Sequence, residues 1–171
     1  MMNCAKPPMN KFLKLAFILV LGALPAPAAG APEDDVLETV TRFFEGLRTT
    51  DAEIWRGVLH DNARFYAHRQ QEDGTWLLSE YEGQERIESL ADETVLLDER
   101  MYEPTVLVRG PIAVVWAPYD ITVNGEHSHC GIDVFDLVQV ESAWKITNLT
   151  YTTELDACGE LDIPARTIPE N

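Results

Sequence analysis

The sequence is poor in basic residues and lacks the short motifs of common enzyme families. Lysine and arginine number 13 against 29 aspartates and glutamates, which gives a formal charge of −16 over 171 residues. Such a negative surface repels phosphate backbones and anionic lipids, so nucleic acid is not an expected partner. No glycine-rich phosphate loop, GxSxG, HExxH or CxxC occurs. The sequence therefore lacks the motifs that usually indicate a nucleotide-binding protein, a hydrolase or a metalloprotease.

The first 30 residues have the three parts of a cleavable export signal. Three lysines precede the first acidic residue, and the run from Leu15 to Leu24 is apolar. That run is too short to span a bilayer, which takes about 20 residues. The small residues from Ala26 to Gly30 satisfy a small-x-small cleavage rule. We expect residues 1–30 to be removed and the mature protein to be periplasmic or secreted, without membrane attachment.

Apolar spacing predicts three helices in the first part of the mature chain. The segment from Asp35 to Leu47 places its apolar residues on one helical face. Asp51 is a predicted N-cap for a second, shorter helix. A third helix is predicted over Gly83–Ala91.

The remainder of the domain is predicted to be mostly strands. A short strand over Arg64–Gln70 and its return over Thr75–Tyr81 flank the turn signal Asp73-Gly74. Four longer runs follow: Met101–Val108, Ile112–Val123, His127–Val140 and Trp144–Thr153. Helices followed by a strand meander indicate an α+β fold with helices on one face of a curved sheet. Residues 31–154 form this one domain, and residues 155–171 are a tail without periodicity.

The order of elements resembles the nuclear transport factor 2-like superfamily, which includes ketosteroid isomerase, scytalone dehydratase and the SnoaL-like polyketide cyclases. The Phe43-Phe44 helix, the helix start Glu82–Ile87 and the ending Phe135–Ile146 carry the resemblance, over about residues 33–154. It implies a cone-shaped domain with three N-terminal helices packed on one face of a strongly curved antiparallel sheet. We predict a ligand pocket at the mouth of this cone.

The pair Asn124-Gly125 is the sharpest local signal, because a two-residue type I′ turn needs positive φ at both positions. With this turn and an unbroken ladder, Asp120 lies opposite His129 and Trp116 lies opposite Asp133. Directly opposed residues share a face of the sheet. The register therefore predicts one face on which both pairs meet, unless a bulge intervenes.

This face has the composition of a ligand site, with aromatic walls and a few converging polar groups. Its predicted catalytic residues are His129 as general base, Asp120 as its orienting partner and Asp133 as a desolvated carboxyl group. The predicted ligand-binding residues are Tyr66, His68, Trp116 and Phe135. The alternative is that the polar residues near the turn are solvated at the rim of the sheet.

Two cysteines, Cys130 and Cys158, remain after removal of the signal. In an oxidising compartment they predict a disulfide that ties the tail to the domain. The motif His127-Ser-His129 is a weak metal signal without a second ligand cluster, so no metal or other cofactor is expected.

These observations predict an exported domain that binds a small, mostly apolar molecule. One alternative is a cofactor-free lyase or isomerase in which His129 or Asp133 moves a proton. The other is a non-catalytic interaction module that forms a homodimer through the outer face of the sheet.

Overall fold

The computed structural model of the protein describes residues 32–166. The predicted export signal and its cleavage site lie outside the described residues, as do the last five residues of the predicted tail. In the described range, no helix has the length and apolar character needed to cross a membrane.

Three helices form where the sequence predicted them. They are α1 Pro32–Thr49, α2 Ala52–Val58 and α3 Gly83–Ala91. Acidic residues fill the first turn of α1, where the helix dipole favours negative charge. Asp51 caps α2, because its carboxylate accepts hydrogen bonds from the backbone N–H groups of Glu53 at 2.9 Å and Ile54 at 3.4 Å.

Seven strands form one curved, open sheet. They are β1 Leu59–Gln70, β2 Trp76–Glu82, β3 Leu97–Met101, β4 Thr105–Arg109, β5 Ile112–Val123, β6 Glu126–Val140 and β7 Ala143–Thr153. The order along the sheet is β2-β1-β7-β6-β5-β3, and β4 also pairs with β5. The α+β prediction is confirmed. One pairing differs from the antiparallel expectation, because β1 runs parallel to β7.

The predicted strand Met101–Val108 is divided into β3 and β4. Both pair with β5, Met101 opposite Tyr119 and Thr105 opposite Trp116. Three residues of one chain segment thus lie against two residues of β5, which makes a bulge. Glu103 within it has a φ of 39°.

The helices pack on one face of the sheet, here called the inner face, around a cluster of aromatic rings. The rings of Phe43 and Trp55 stack with centroids 4.7 Å apart. The Trp55 indole N–H donates to the Phe43 carbonyl at 2.8 Å, so its one polar atom is satisfied in the core. Phe135 reaches this cluster from β6 and meets Phe43 edge to face.

The two-residue turn between β5 and β6 is confirmed. Asn124 has a φ of 53° and Gly125 a φ of 83°. The first pairings beyond the turn, Val123 with Glu126 and Thr122 with His127, are those the turn predicts.

The register beyond these pairs differs from the prediction, because a bulge follows at once. Ile121 pairs with His129, so Ser128 is the additional residue of β6, and Asp120 pairs with Cys130. The predicted Asp120–His129 pairing is therefore wrong.

The same shift continues along the hairpin. Trp116 pairs with Val134, and Asp133 pairs with Ala117, so the predicted Trp116–Asp133 pairing is wrong as well. A shift of one residue exchanges the two faces of a strand. His129, Asp133 and Phe135 share the inner face as expected, whereas Asp120 and Trp116 lie on the outer one.

The tail is held against the domain by the predicted disulfide. Cys130 and Cys158 are joined, with their Cα atoms 5.3 Å apart. The backbone of Glu154 also pairs with Cys130 in an isolated antiparallel bridge. Residues 155–166 therefore follow the outer side of the hairpin and end beside Asp120.

Candidate functional site

A cavity of about 180 Å³ lies between α1, α3 and the inner face of the sheet. Its apolar walls are Leu47, Phe65, Leu97, Ile121 and Leu149. Polar and charged side chains occupy the remaining wall, and they come from six different elements: Arg69, Arg86, Glu99, Tyr119, His129, Asp133 and Tyr151. Apolar walls with a few converging polar groups are typical of small-molecule sites.

Two acidic residues of this wall, Glu99 on β3 and Asp133 on β6, are hydrogen-bond neighbours. Asp133 is only 1% exposed. Burial raises the pKa of Glu99 to about 7. Burial, and then the neighbouring Glu99, raises the pKa of Asp133 well above its usual value. Glu99 keeps some accessible surface because it lines the cavity, but protein atoms surround its carboxyl group.

The pair therefore retains a proton at neutral pH, because two adjacent carboxylates cannot both ionise in a desolvated site. One oxygen, Asp133 Oδ2, is buried and has no hydrogen-bond partner among residues 32–166. A buried polar atom without a partner is uncommon in a folded protein. Because this oxygen exposes almost no surface, it does not itself face the open cavity, and the proton shared with Glu99 is the donor within reach of the pair.

Tyr119 and His129 form a second polar group in the wall. The Tyr119 hydroxyl donates to the Thr152 carbonyl at 2.6 Å. Its oxygen lies 3.1 Å from His129 Nε2, and Ser128 Oγ lies 3.0 Å from His129 Nδ1. These contacts assign the proton of a neutral imidazole to Nε2, with Ser128 donating to Nδ1.

Burial, followed by the charges of His127 and Arg69, lowers the pKa of His129 to about 4. His129 is therefore neutral at pH 7. Asp120, predicted to orient it and raise its basicity, lies on the opposite face and does neither. Both ring nitrogens have protein partners, which makes His129 a support for Tyr119 in this geometry.

Gly131 makes the position of Tyr119 possible. It pairs with Tyr119 across the hairpin. A Cβ atom at residue 131 would lie 2.1 Å from the Thr152 carbonyl oxygen and 2.8 Å from the Tyr119 ring. Only glycine leaves room for the ring and the neighbouring strand together.

Two arginines complete the charged wall, Arg69 at the end of β1 and Arg86 on α3. The Arg86 guanidinium lies 5.3 Å from the centroid of the Tyr81 ring. Hydrogen bonds from Ser79 and then Arg69 lower the pKa of Tyr81. Within the described part of the chain, neither arginine has a carboxylate within 4.0 Å.

Asp120 has a different environment on the outer face. It is 2% exposed, and its Oδ1 lies 2.7 Å from Nη2 of Arg166 in the tail. Arg166 also binds Asp98 at 2.8 Å, and the Tyr102 hydroxyl donates to Asp120 at 3.1 Å. Asp120 thus holds the tail in place and does not line the cavity, although its charge contributes to the raised pKa of Glu99.

The predicted ligand-binding residues do not meet in the cavity. Tyr66 and His68 project from the outer face of β1, and Trp116 is 51% exposed on the outer face of β5. Phe135 is on the inner face but is fully buried among the core rings. Of the seven predicted site residues, the structure brings only His129 and Asp133 to the cavity. The roles predicted for them stay predictions.

The two histidines of the His127-Ser-His129 motif do not form a metal pair. The bulge at Ser128 separates them: His129 turns to Tyr119, and His127 Nε2 lies 3.5 Å from Cys158 Sγ. His127, Cys130 and Cys158 are close enough to bind one ion. Their two sulfurs, however, form the disulfide and are not thiolates.

Sequence reasoning missed Glu99, although a signal was present. In β3, Leu97, Glu99 and Met101 alternate onto one face, so an acid stands between two apolar neighbours. An acid in the middle of an apolar face is a buried carboxyl group or a site residue. Arg69 follows Phe65 and Ala67 on the inner face of β1 by the same alternation.

The helices packed on one face of the curved sheet define a protein of the nuclear transport factor 2-like superfamily. The sequence belongs to the family described as "Putative lumazine-binding", whose family model matches residues 31–152. No curated protein matches the sequence.

Solved structures share the fold at low identity. A nuclear transport factor 2-like protein from Cytophaga hutchinsonii is 14% identical, with a TM-score of 0.61 over 72% of this chain and 99% of that one. A putative dehydratase from Streptomyces avermitilis is 17% identical, with a TM-score of 0.56 over 72% and 96%. The S. rosetta CaMKII hub is 13% identical, with a TM-score of 0.56 over 74% and 99%.

Proposed function

We propose that the protein binds a small molecule in the cavity between the helices and the inner face. The main supporting observation is the Glu99–Asp133 pair, a carboxyl pair that shares a proton in the wall of this cavity. The family description, which names lumazine, supports a small cyclic ligand with hydrogen-bonding groups. At about 180 Å³ the cavity is below the usual range for drug-sized ligands, which favours a compact molecule.

The experiment is a ligand-observed NMR screen of a library containing lumazine and comparable numbers of acids, bases and neutral compounds. Thr153→Trp fills the cavity from its lining, and Thr94→Trp places the same side chain in an exposed loop as the control. Hits that bind the parent and Thr94→Trp but not Thr153→Trp support the proposal. Hits that all persist in folded Thr153→Trp reject it.

A cofactor-free lyase or isomerase is the second candidate. The observation that favours it is again the Glu99–Asp133 pair, because a carboxyl group with a pKa near 7 can both release and accept a proton at neutral pH. The similarity to a protein described as a dehydratase points the same way. In this candidate the Glu99–Asp133 pair has the proton-transfer role that the sequence analysis assigned to His129 or Asp133.

Turnover of a hit from the screen distinguishes an enzyme from a binding protein. Asp133→Asn keeps the shape of the side chain and removes its acid–base function. For an enzyme we expect a loss of turnover of at least about a hundredfold with binding retained. Unchanged turnover in Asp133→Asn rejects this candidate.

We also propose that two copies associate through the outer face of the sheet. Trp116, Leu107 and Ile112 are exposed on β4 and β5, and a related fold forms the S. rosetta CaMKII hub. Sedimentation should show a dimer that Trp116→Glu dissociates, while the exposed helix variant Glu88→Gln leaves it intact. A monomeric parent at micromolar concentration rejects association.

Export is the remaining part of the proposal, and it rests on residues 1–30 of the sequence. N-terminal sequencing of the mature protein should start at Ala29 or Ala31, give or take a few residues. A mature protein that retains Leu15 to Leu24 rejects the export signal.

A further inference from the structure

We infer that the ligand is a small organic anion, whose carboxylate is bound by Arg69 and Arg86 and whose hydroxyl group reaches the Glu99–Asp133 pair across an apolar body. This inference rests on the proposed function and adds the chemical class of the ligand. It is argued from two groups of cavity residues, the two arginines and the two acids, and from the net charge of the whole chain.

The cationic end is formed by guanidinium groups from two different elements. Arg69 extends from a strand and Arg86 from a helix, and both line the same cavity. Arg64 and Arg166 each form an ion pair with an acidic side chain. In residues 32–166, by contrast, no carboxylate lies within 4.0 Å of Arg69 or Arg86. A guanidinium presents several N–H donors in one plane, which suits a carboxylate better than a neutral group.

The net charge sets these two arginines apart from the rest of the molecule. The chain carries a formal charge of −16, and its acids outnumber its bases by 29 to 13. The field of the whole protein therefore repels anions. Arg69 and Arg86 bring two positive charges without carboxylate partners to the wall of this cavity, and a small anion can bind them there.

The other end of the wall is selective for a hydroxyl group. Glu99 and Asp133 share a proton, so the pair can both donate and accept. A hydroxyl group does the same, so it can accept a hydrogen bond from the pair or donate one to it. Phe65, Leu97 and Leu149 line the same cavity and can accommodate a compact apolar body.

The test uses three probes of nearly equal shape: 4-hydroxybenzoate, its neutral amide 4-hydroxybenzamide, and 4-methylbenzoate, which lacks the hydroxyl group. Isothermal titration calorimetry with the full chain should show 4-hydroxybenzoate binding at least tenfold more tightly than either analogue. The preference over the amide should fall as salt is added, because ions screen the partly exposed guanidinium groups.

In the double variant Arg69→Gln/Arg86→Gln, the affinities for 4-hydroxybenzoate and 4-hydroxybenzamide should become about equal. The affinity for the amide itself should not change. The matched control Arg64→Gln/Arg109→Gln removes the same charge from residues that do not line this cavity, and it should keep the ratio. If both double variants lose the preference for 4-hydroxybenzoate over its amide, the preference comes from net charge and the inference is overturned.

Equal affinity of the parent for acid and amide would overturn the anionic ligand class but leave cavity binding intact. Failure of 4-hydroxybenzoate to bind, with other library hits that Thr153→Trp excludes, would overturn this inference and preserve the broader proposal. If no compound is excluded by Thr153→Trp, both fail together.

Discussion

Asp120 and Asp133 are two buried aspartates on adjacent strands, and their surroundings are opposite in kind. Asp120 faces outward, is 2% exposed, and is neutralised by Arg166 and Tyr102. Asp133 faces inward, is 1% exposed, and has another acid as its neighbour. Burial alone therefore does not decide what a carboxyl group does; the partner it is buried with decides it.

The difference has a thermodynamic basis. A buried carboxylate with a guanidinium stays ionised, and removal of the cation leaves an uncompensated charge. A buried carboxyl group beside another acid instead keeps its proton, and its pKa rises into the range useful for binding or proton transfer. The ion pair of Asp120 with Arg166 holds the tail, whereas the pair of Asp133 with Glu99 lies in the wall of a cavity.

The largest effect is expected for Arg166→Ala, which leaves Asp120 buried without its cation. We expect the free energy of unfolding to fall by about 3–5 kcal/mol, measured by urea denaturation at pH 7. Arg100→Ala is the control, because its side chain is 57% exposed and it pairs with the same Asp98. Its loss should stay below about 1 kcal/mol. Equal losses in the two variants would show that Asp120 needs no cation.

The disulfide is expected to stabilise the same outer region somewhat less. Cys130 and Cys158 are 28 residues apart, and closing a loop of this size in the unfolded chain corresponds to about 3 kcal/mol. Denaturation of the parent and of Cys130→Ala/Cys158→Ala measures it. The disulfide and the Arg166 ion pair both hold the tail. A variant that combines Cys130→Ala/Cys158→Ala with Arg166→Ala should therefore lose less free energy of unfolding than the sum of the two separate losses. Full additivity would mean that the two act on separate regions.

The carboxyl pair on the inner face should make stability depend on pH. A pKa of Glu99 raised from 4.5 to about 7 means that the native state holds the proton more tightly. The resulting stability is complete below about pH 4.5 and is lost as the pH rises through 7, on the order of 3 kcal/mol. His129 acts oppositely, because its lowered pKa costs stability as the pH falls from 6.5 to about 4.

The comparison with Glu99→Gln/Asp133→Asn isolates the carboxyl pair, since His129 is present in both proteins. The variant should lose less stability than the parent between pH 4.5 and 7 in thermal or urea denaturation. The control Glu88→Gln/Asp92→Asn changes two exposed acids and should retain the profile of the parent. Parallel curves for the parent and the cavity variant would contradict a shared proton.

The smallest effect is expected for Asp133→Asn alone. The amide has the same shape, carries no charge, and can donate to Glu99, so stability at pH 7 should change by no more than about 0.5 kcal/mol. Asp120→Asn is the matched variant on the outer face, and it should cost about 2 kcal/mol because Arg166 loses a charged partner. Similar costs at both positions would remove the distinction between the two aspartates.

Local signals accounted for much of the fold. The third helix was predicted at its observed bounds, and the β5 strand likewise, because glycine, proline and apolar spacing mark their ends. The cap of α2 by Asp51 and the turn at Asn124-Gly125 are also local, since each depends on a few neighbouring residues. The site depended on non-local pairing, which such signals do not contain.

The sequence by itself determined the α+β class, the order of elements, the acidic charge and the pair of cysteines that forms the disulfide. Only the tertiary structure decided which side chains face the cavity. Ser128 is an additional residue in β6, and it shifts the pairing of β5 with β6 by one position. As a result, Asp120 faces the outer side of the sheet and Tyr119 faces the inner side. Side chains alternate with a period of two, so a single extra residue inverts every assignment beyond it, and apolar spacing within each strand is the same either way.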